Sequence, residues 1–232
     1  IDTEKKEWFV KLSRWRSHMA GDKRHEALKN IESVRDPLAI KAIGRMLEIE
    51  RDRRLRLVYV KVLGQISTND ATATLVQLAL SDYDEEVFYA SLDQLALRTS
   101  PPLVRQFVLA LNSPNNHRVN RAAIALGTLG DQTAIPPLIE ALVTRHDRVI
   151  PGNDATTSTF VKDGSGNQAG NSFSAGGGPQ VLTQTATNHE VLRTLVSLTG
   201  ISFSFDQQAW RNWYALQARR KQATAADTRR VD

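Results

Sequence analysis

Apolar residues recur along this chain at spacings of three and four, the period of a helix with one buried face. One set of such stretches carries Leu38, Ile40, Ile43, Met46 and Leu47, then Leu75, Leu78 and Leu80, then Leu103, Phe107, Val108 and Leu111, then Ile135, Leu138, Ile139 and Leu142. A second set alternates with it: Leu55, Val58, Val62, Leu63 and Ile66, then Val87, Leu92 and Leu95, then Val119, Ala122, Ala123, Leu126 and Leu129. The first set opens at Asp36-Pro37, Asp70, Ser100-Pro101-Pro102 and Asp131. A short polar side chain followed by proline starts a helix, because the side chain caps orphan N–H groups and proline has none to lose. A small residue after leucine returns at Gly64, Ala96 and Gly127, a period of roughly 32 residues. The pattern predicts a repeated unit of helix A, turn, helix B, turn.

The ends of the array read as caps. Trp8, Phe9, Leu12 and Trp15 form one stripe and Ala27, Leu28 and Ile31 another, so residues 1–35 predict a capping helix pair ahead of repeats over 36–146. At the other end Asp206 is placed to cap a last helix carrying Trp210, Trp213 and Tyr214 on one face. Residues 188–218 therefore predict a last helix B and a C-terminal cap. The polar stretch 219–232 predicts a flexible tail.

One segment breaks the period. Asn188-His189-Glu190-Val191-Leu192-Arg193 aligns with Asn116-His117-Arg118-Val119-Asn120-Arg121 at an offset of 72 residues instead of one repeat. Residues 147–187, rich in Gly, Ser, Thr and Asn, thus interrupt the last repeat between its two helices. Within them 157–162 and 180–185 are β-rich and predict a hairpin, with Val149 and Ile150 adding a short edge. Long insertions of this kind are often functional, so Phe160 is a candidate partner contact; the alternative is a structural flap.

Composition narrows the chemistry. The 232 residues include no cysteine, which excludes disulfides, thiolate metal sites and a cysteine nucleophile. No apolar run approaches the roughly 20 residues of a membrane span. A net charge of +5 is a mild bias, gathered at Arg45–Lys61 and in the tail. The five histidines are scattered without a His-Glu-x-x-His spacing, no Gly-x-Ser-x-Gly is present, and the glycines fit no phosphate-binding loop. No cofactor and no metal is expected. The acidic run Asp82, Asp84, Glu85 and Glu86 sits at a helix start, where negative charge complements the macrodipole. The chain opens Ile1-Asp2 without methionine, which reads as an excised or processed piece and leaves the compartment open between cytoplasm and export.

Gly130–Leu142, with Pro136-Pro137, resembles the helix-A signature of HEAT-like repeats, in particular the short bacterial type first described in phycobilisome lyases. Asn116–Ala123 with Leu126-Gly127 resembles their helix B. Leu198-Thr199-Gly200, Phe203, Asp206 and Trp210-x-x-Trp213 resemble the segment that closes many such arrays. The resemblance implies an all-α, right-handed α-α superhelix of about five helix pairs, here with a β-hairpin insertion. It also implies a non-catalytic protein-interaction scaffold with a curved groove lined by helix B. Arg56, Tyr89, Asp93, Arg118 and Arg121 are its expected polar members, and replacing Arg121 is expected to weaken partner binding with the fold intact. Two other readings stay open. Alkylpurine DNA glycosylases of this repeat type hold DNA in a basic groove, although the mixed charges here make nucleic acid the less favoured partner. A bilin-lyase-type enzyme is linked only through the repeat.

Overall fold

The computed structural model describes residues 2–150 and 180–228. Ten of the helices pair into five A/B units. These are α1 (Asp2–Ser17) with α2 (Arg24–Glu32), α3 (Ile40–Ile49) with α4 (Arg53–Gln65), α5 (Asn69–Ser81) with α6 (Glu85–Ala96), α7 (Pro101–Ala110) with α8 (Asn116–Leu129), and α9 (Ile135–Ala141) with α10 (His189–Thr199). An eleventh, α11 (Gln207–Thr228), packs on α9. A helices stack on A helices and B helices on B helices, giving two layers with the core between them. The apolar stripes meet there: Leu12, Ile43, Met46, Leu75, Leu103 and Phe107 from the A layer face Ile31, Leu63, Leu95 and Leu126 from the B layer, all fully buried.

Local chemistry sets the helix ends. Asp36 Oδ1 accepts the N–H of Leu38, and Asp131 Oδ1 that of Thr133, each starting a 3-10 turn that feeds an A helix. The A helix of the third pair is capped differently from the sequence expectation: Thr68 Oγ1 takes the N–H of Ala71, and Asp70 lies in the first turn. Gly130 and Gly200 end α8 and α10 in the left-handed conformation, φ 67° and 74°, which a side chain would oppose. Trp8, half-buried, donates its indole N–H to Asp36 at 2.9 Å and so ties the N-terminal pair to the cap of the next repeat. Trp210 is fully buried, donates to the carbonyl of Ser204 at 3.0 Å and meets Phe203 edge to face.

The sequence expectation of a flexible stretch from 219 differs from the helix observed. α11 continues to Thr228 because residues 215–226 are mostly Ala, Gln, Arg and Lys, strong helix formers that need no core.

The chain divides into two compact units, the helical array and the segment Val143–Thr187. The array closes its own gap: the Asn188 N–H donates to the carbonyl of Leu142 and its amide Nδ2 to the carbonyl of Ala141, both at 2.9 Å. The chain therefore leaves at the end of helix A and returns at the start of helix B within hydrogen-bond reach. In the inserted unit β1 (Val143–Ile150) pairs antiparallel with β2 (Gln180–Thr187), in register from Val143↔Thr187 to Ile150↔Gln180. This corrects the strand pairing. The sequence reading matched 180–185 with 157–162, whereas its partner begins at Val143, directly after α9. The charged run Arg145-His146-Asp147-Arg148 conceals that strand, since it breaks the apolar alternation on which strand recognition depends. Residues 157–162, with Phe160, lie outside the described residues.

Candidate functional site

The turns from helix A to helix B in the three middle pairs repeat one small device. Its first residue accepts the N–H two positions on, and that third residue caps helix B. Glu50 accepts from Asp52 at 2.9 Å and Asp52 caps α4; Asp82 accepts from Asp84 at 2.9 Å and Asp84 caps α6; Ser113 accepts from Asn115 at 3.2 Å and Asn115 caps α8. In the first two turns the leading residue is an acid that an arginine of the preceding pair also grips. Arg16 Nε donates to Glu50 at 2.5 Å, and Arg56 Nη2 donates to Asp82. Arg53 adds a second tie, from Nε to Asp84 and from Nη1 to Glu86, both at 2.7 Å. These pairs lock neighbouring repeats in register along one edge.

The turn at Asp82 gathers most of the chemistry. Asp82 and Arg56 are both buried, and the Arg56 guanidinium lies under the exposed ring of Tyr83, 4.4 Å from its centroid. Arg121 comes from α8 on the other side, 4% exposed, with its guanidinium 4.6 Å from the Phe88 ring. Tyr89 packs on Phe88, centroids 4.7 Å apart, and stays 53% exposed. Arg118 is half-buried and donates to Ser81 Oγ at 2.9 Å. Beside this turn a cavity of about 360 Å³ is lined by Glu48, Arg56, Ser81, Asp82 and Tyr83 with residues of α3 and α5.

Of the six residues expected to touch a partner, the structure brings Arg56, Tyr89, Arg118 and Arg121 together around one turn. Asp93 is exposed one helical turn beyond Tyr89 on α6, and Phe160 lies outside the described residues. Arg56 and Arg121 are corrected in one respect. Both are buried, Arg56 against Asp82 and Arg121 on the Phe88 ring, so their replacement disturbs the stack as well as any binding. Sequence reasoning also missed the two pairs that Glu50 makes with Arg16 and Asp82 makes with Arg56. The signal was present: an acid two residues before the cap at 50 and 82, one repeat apart. Arg98 was missed too. It donates to the carbonyls of Gly64 and Ile66 and to Thr72, closing the end of α4 beside a cleft of about 630 Å³.

The electrostatics follow from this packing. Burial pushes the Glu50 carboxyl up, but the Arg16 hydrogen bond and the N–H groups of Asp52 and Arg51 outweigh it and hold it below the usual carboxylate range. Its ionised form therefore favours the folded state. That contribution is present above the unfolded value near 4.3 and is lost as pH falls through the lower folded value. Glu50→Gln is expected to cost about 1 kcal/mol at pH 7, the gain being limited by solvent around half-exposed Arg16. The difference from the parent should shrink below pH 4 in urea titrations, and a gap that stays constant with pH would refute the assignment. Tyr59 is a contrasting case. Its hydroxyl is buried without a hydrogen-bond partner among the described residues, and burial, with the Glu50 charge adding to it, drives its pKa up. Tyr59→Phe is expected to be neutral or to stabilise by about 1 kcal/mol, since it removes an unmade bond; a clear loss in thermal melts would reveal a hidden partner.

No group of His, Asp and Glu among the described residues could hold a metal ion, and no helix among them is long and apolar enough to cross a membrane. The family model for HEAT repeats matches the chain twice, over residues 12–96 and 75–151, more than half its length. No curated protein matches it.

Proposed function

The chain belongs to the HEAT-repeat family, and from that premise we propose that it is a non-catalytic scaffold holding a protein partner on the exposed surface of its B helices. One observation carries this reading: Tyr89 presents a half-exposed ring beside the charged turn at Asp82, with exposed Asp93 one turn further along the same helix. An exposed tyrosine over a rigid aromatic base gives contact area at small entropic cost, which is why tyrosine recurs at the centre of interfaces. The charges favour protein over nucleic acid, because exposed Glu85, Glu86 and Asp93 on α6 would oppose phosphates. The insertion, with Phe160, is a second contact in this reading.

The test is capture from native lysate by three forms: the intact chain, a Tyr89→Ala/Asp93→Ala form, and one lacking residues 152–180. Loss in the double variant with helical circular dichroism unchanged supports the B-helix surface. Loss only in the deletion moves the site to the insertion. Equal capture by all three would refute both contacts.

A further inference from the structure

The helical array carries opposite charge in its two halves. Residues 1–61 hold sixteen Lys and Arg against ten Asp and Glu, and residues 62–142 hold four against eight. One exposed helical stripe stands out in each half. On α1, Lys6, Val10 and Arg14 follow at four-residue spacing, all exposed, Val10 at 64%. On α6 the same spacing gives Glu85, Tyr89 and Asp93, all exposed, with Leu97, 83% exposed, one turn further on. Residues four apart share a helix face. Lys6, Arg14, Glu85 and Asp93 make no ion pair among the described residues. Arg45 of α3 adds a cation beside α1, its guanidinium 5.1 Å from the Phe9 ring centroid. The charges that oppose are Glu7 and Glu48 near the basic stripe, and the cations on the helices adjoining α6. Of those cations, Arg53 is held by Asp84 and Glu86, Lys61 by Glu32, and half-buried Arg118 is turned onto Ser81, which leaves Arg54.

Resting on the scaffold reading above, we propose that the partner on the α6 surface is a second copy of this chain, which lays its α1 stripe there. Eight residues of helix rise about 12 Å, so the two cations of one stripe and the two acids of the other are equally spaced. Laid together in either direction, each cation meets an acid and Val10 seats against Tyr89. The valine–tyrosine contact is the centre and the ion pairs are the rim, the ordinary anatomy of an interface. Two different faces meet, so the contact is one-way: a copy that offers α1 to one neighbour keeps its own α6 open for another. Association is therefore open-ended. It is also weak, since one helix crossing is far less than a standard interface, and salt-sensitive, since its pairs are exposed.

Sedimentation velocity of the whole chain tests this. At low salt the mean mass is expected to rise with concentration past that of a dimer. Salt at about 1 M should return the chain to monomer, because the Debye length is then about 3 Å. Reversing either stripe, by Lys6→Glu with Arg14→Glu or by Glu85→Lys with Asp93→Lys, should weaken self-association about tenfold or more, since like charges then face each other. All four positions are exposed, so circular dichroism should stay unchanged. Mixing the two reversed forms puts opposite charges face to face again, and association should return. A mixture that stays monomeric would overturn the proposal, as would self-association of the parent that persists in salt and in both reversed forms. Association lost in only one reversed form would place the second copy elsewhere and overturn it too. A parent monomeric at every concentration, with lysate capture still lost in the Tyr89→Ala/Asp93→Ala form, would overturn this inference and leave the scaffold reading standing.

Discussion

Asp82→Ala is expected to be the most damaging single change in the array, costing about 3–5 kcal/mol. The carboxylate does two jobs that no neighbour can take over. One oxygen accepts the N–H of Asp84 and shapes the turn; the other pairs with Arg56, which has no other hydrogen-bond acceptor for Nε or Nη1 among the described residues. Removal leaves a buried guanidinium facing nothing, the case in which a broken pair costs far more than the intact pair contributed. For a chain of this length the melting point should fall by about 10 °C. Asp82→Asn keeps the turn bond and should cost less. Arg56→Met combined with Asp82→Ala should be no worse than Asp82→Ala alone, because the second change removes the stranded charge. If the double variant instead shows the sum of the two single losses in urea denaturation, the pair is not coupled and the description of this edge is wrong.

Trp210→Ala comes next, at about 3–5 kcal/mol, the usual cost of emptying a large buried aromatic site. Trp210 is fully buried against Phe203 and lies 6.0 Å from Trp213, so its loss opens the end of the core. In a repeat array each unit contacts mainly its neighbours, and the damage should stay local. Amide exchange should accelerate in α9 and α10, while α3 to α6 keep their protection. Uniform acceleration along the chain would show that the array unfolds as one cooperative body and that the cap supports all of it. No acceleration anywhere would show that Trp210 does not seal the core.

The parts legible in the sequence were those set by periodicity. Gly64, Ala96 and Gly127 marked the repeat, and the match of Asn188–Arg193 to Asn116–Arg121 located the insertion, because a helix that must pack in a fixed slot keeps its apolar spacing whatever precedes it. What escaped was set by neighbours. Strand β1 carries four charged or ionisable residues in a row, and pairing with β2 defines it more than its own pattern does. Arg56 and Arg121 looked like surface groups, since a guanidinium on a helix reads as solvated until the facing carboxylate or ring is known. Residues 219–228 carried no apolar stripe, yet their intrinsic propensity was enough to extend α11. Tyr89 is the instructive exception, expected at the surface and found there, because the buried positions of α6 on either side of it, Phe88 and Leu92, already fill the inward face.

The most direct test of the scaffold reading is site-specific cross-linking with a photoreactive phenylalanine at two exposed positions on opposite layers, Tyr89 on helix α6 and Leu109 on helix α7. Illumination in native lysate is expected to give a discrete protein adduct from position 89 and none from position 109. An adduct from 109 alone, or equally from both, would contradict a partner seated on the B helices.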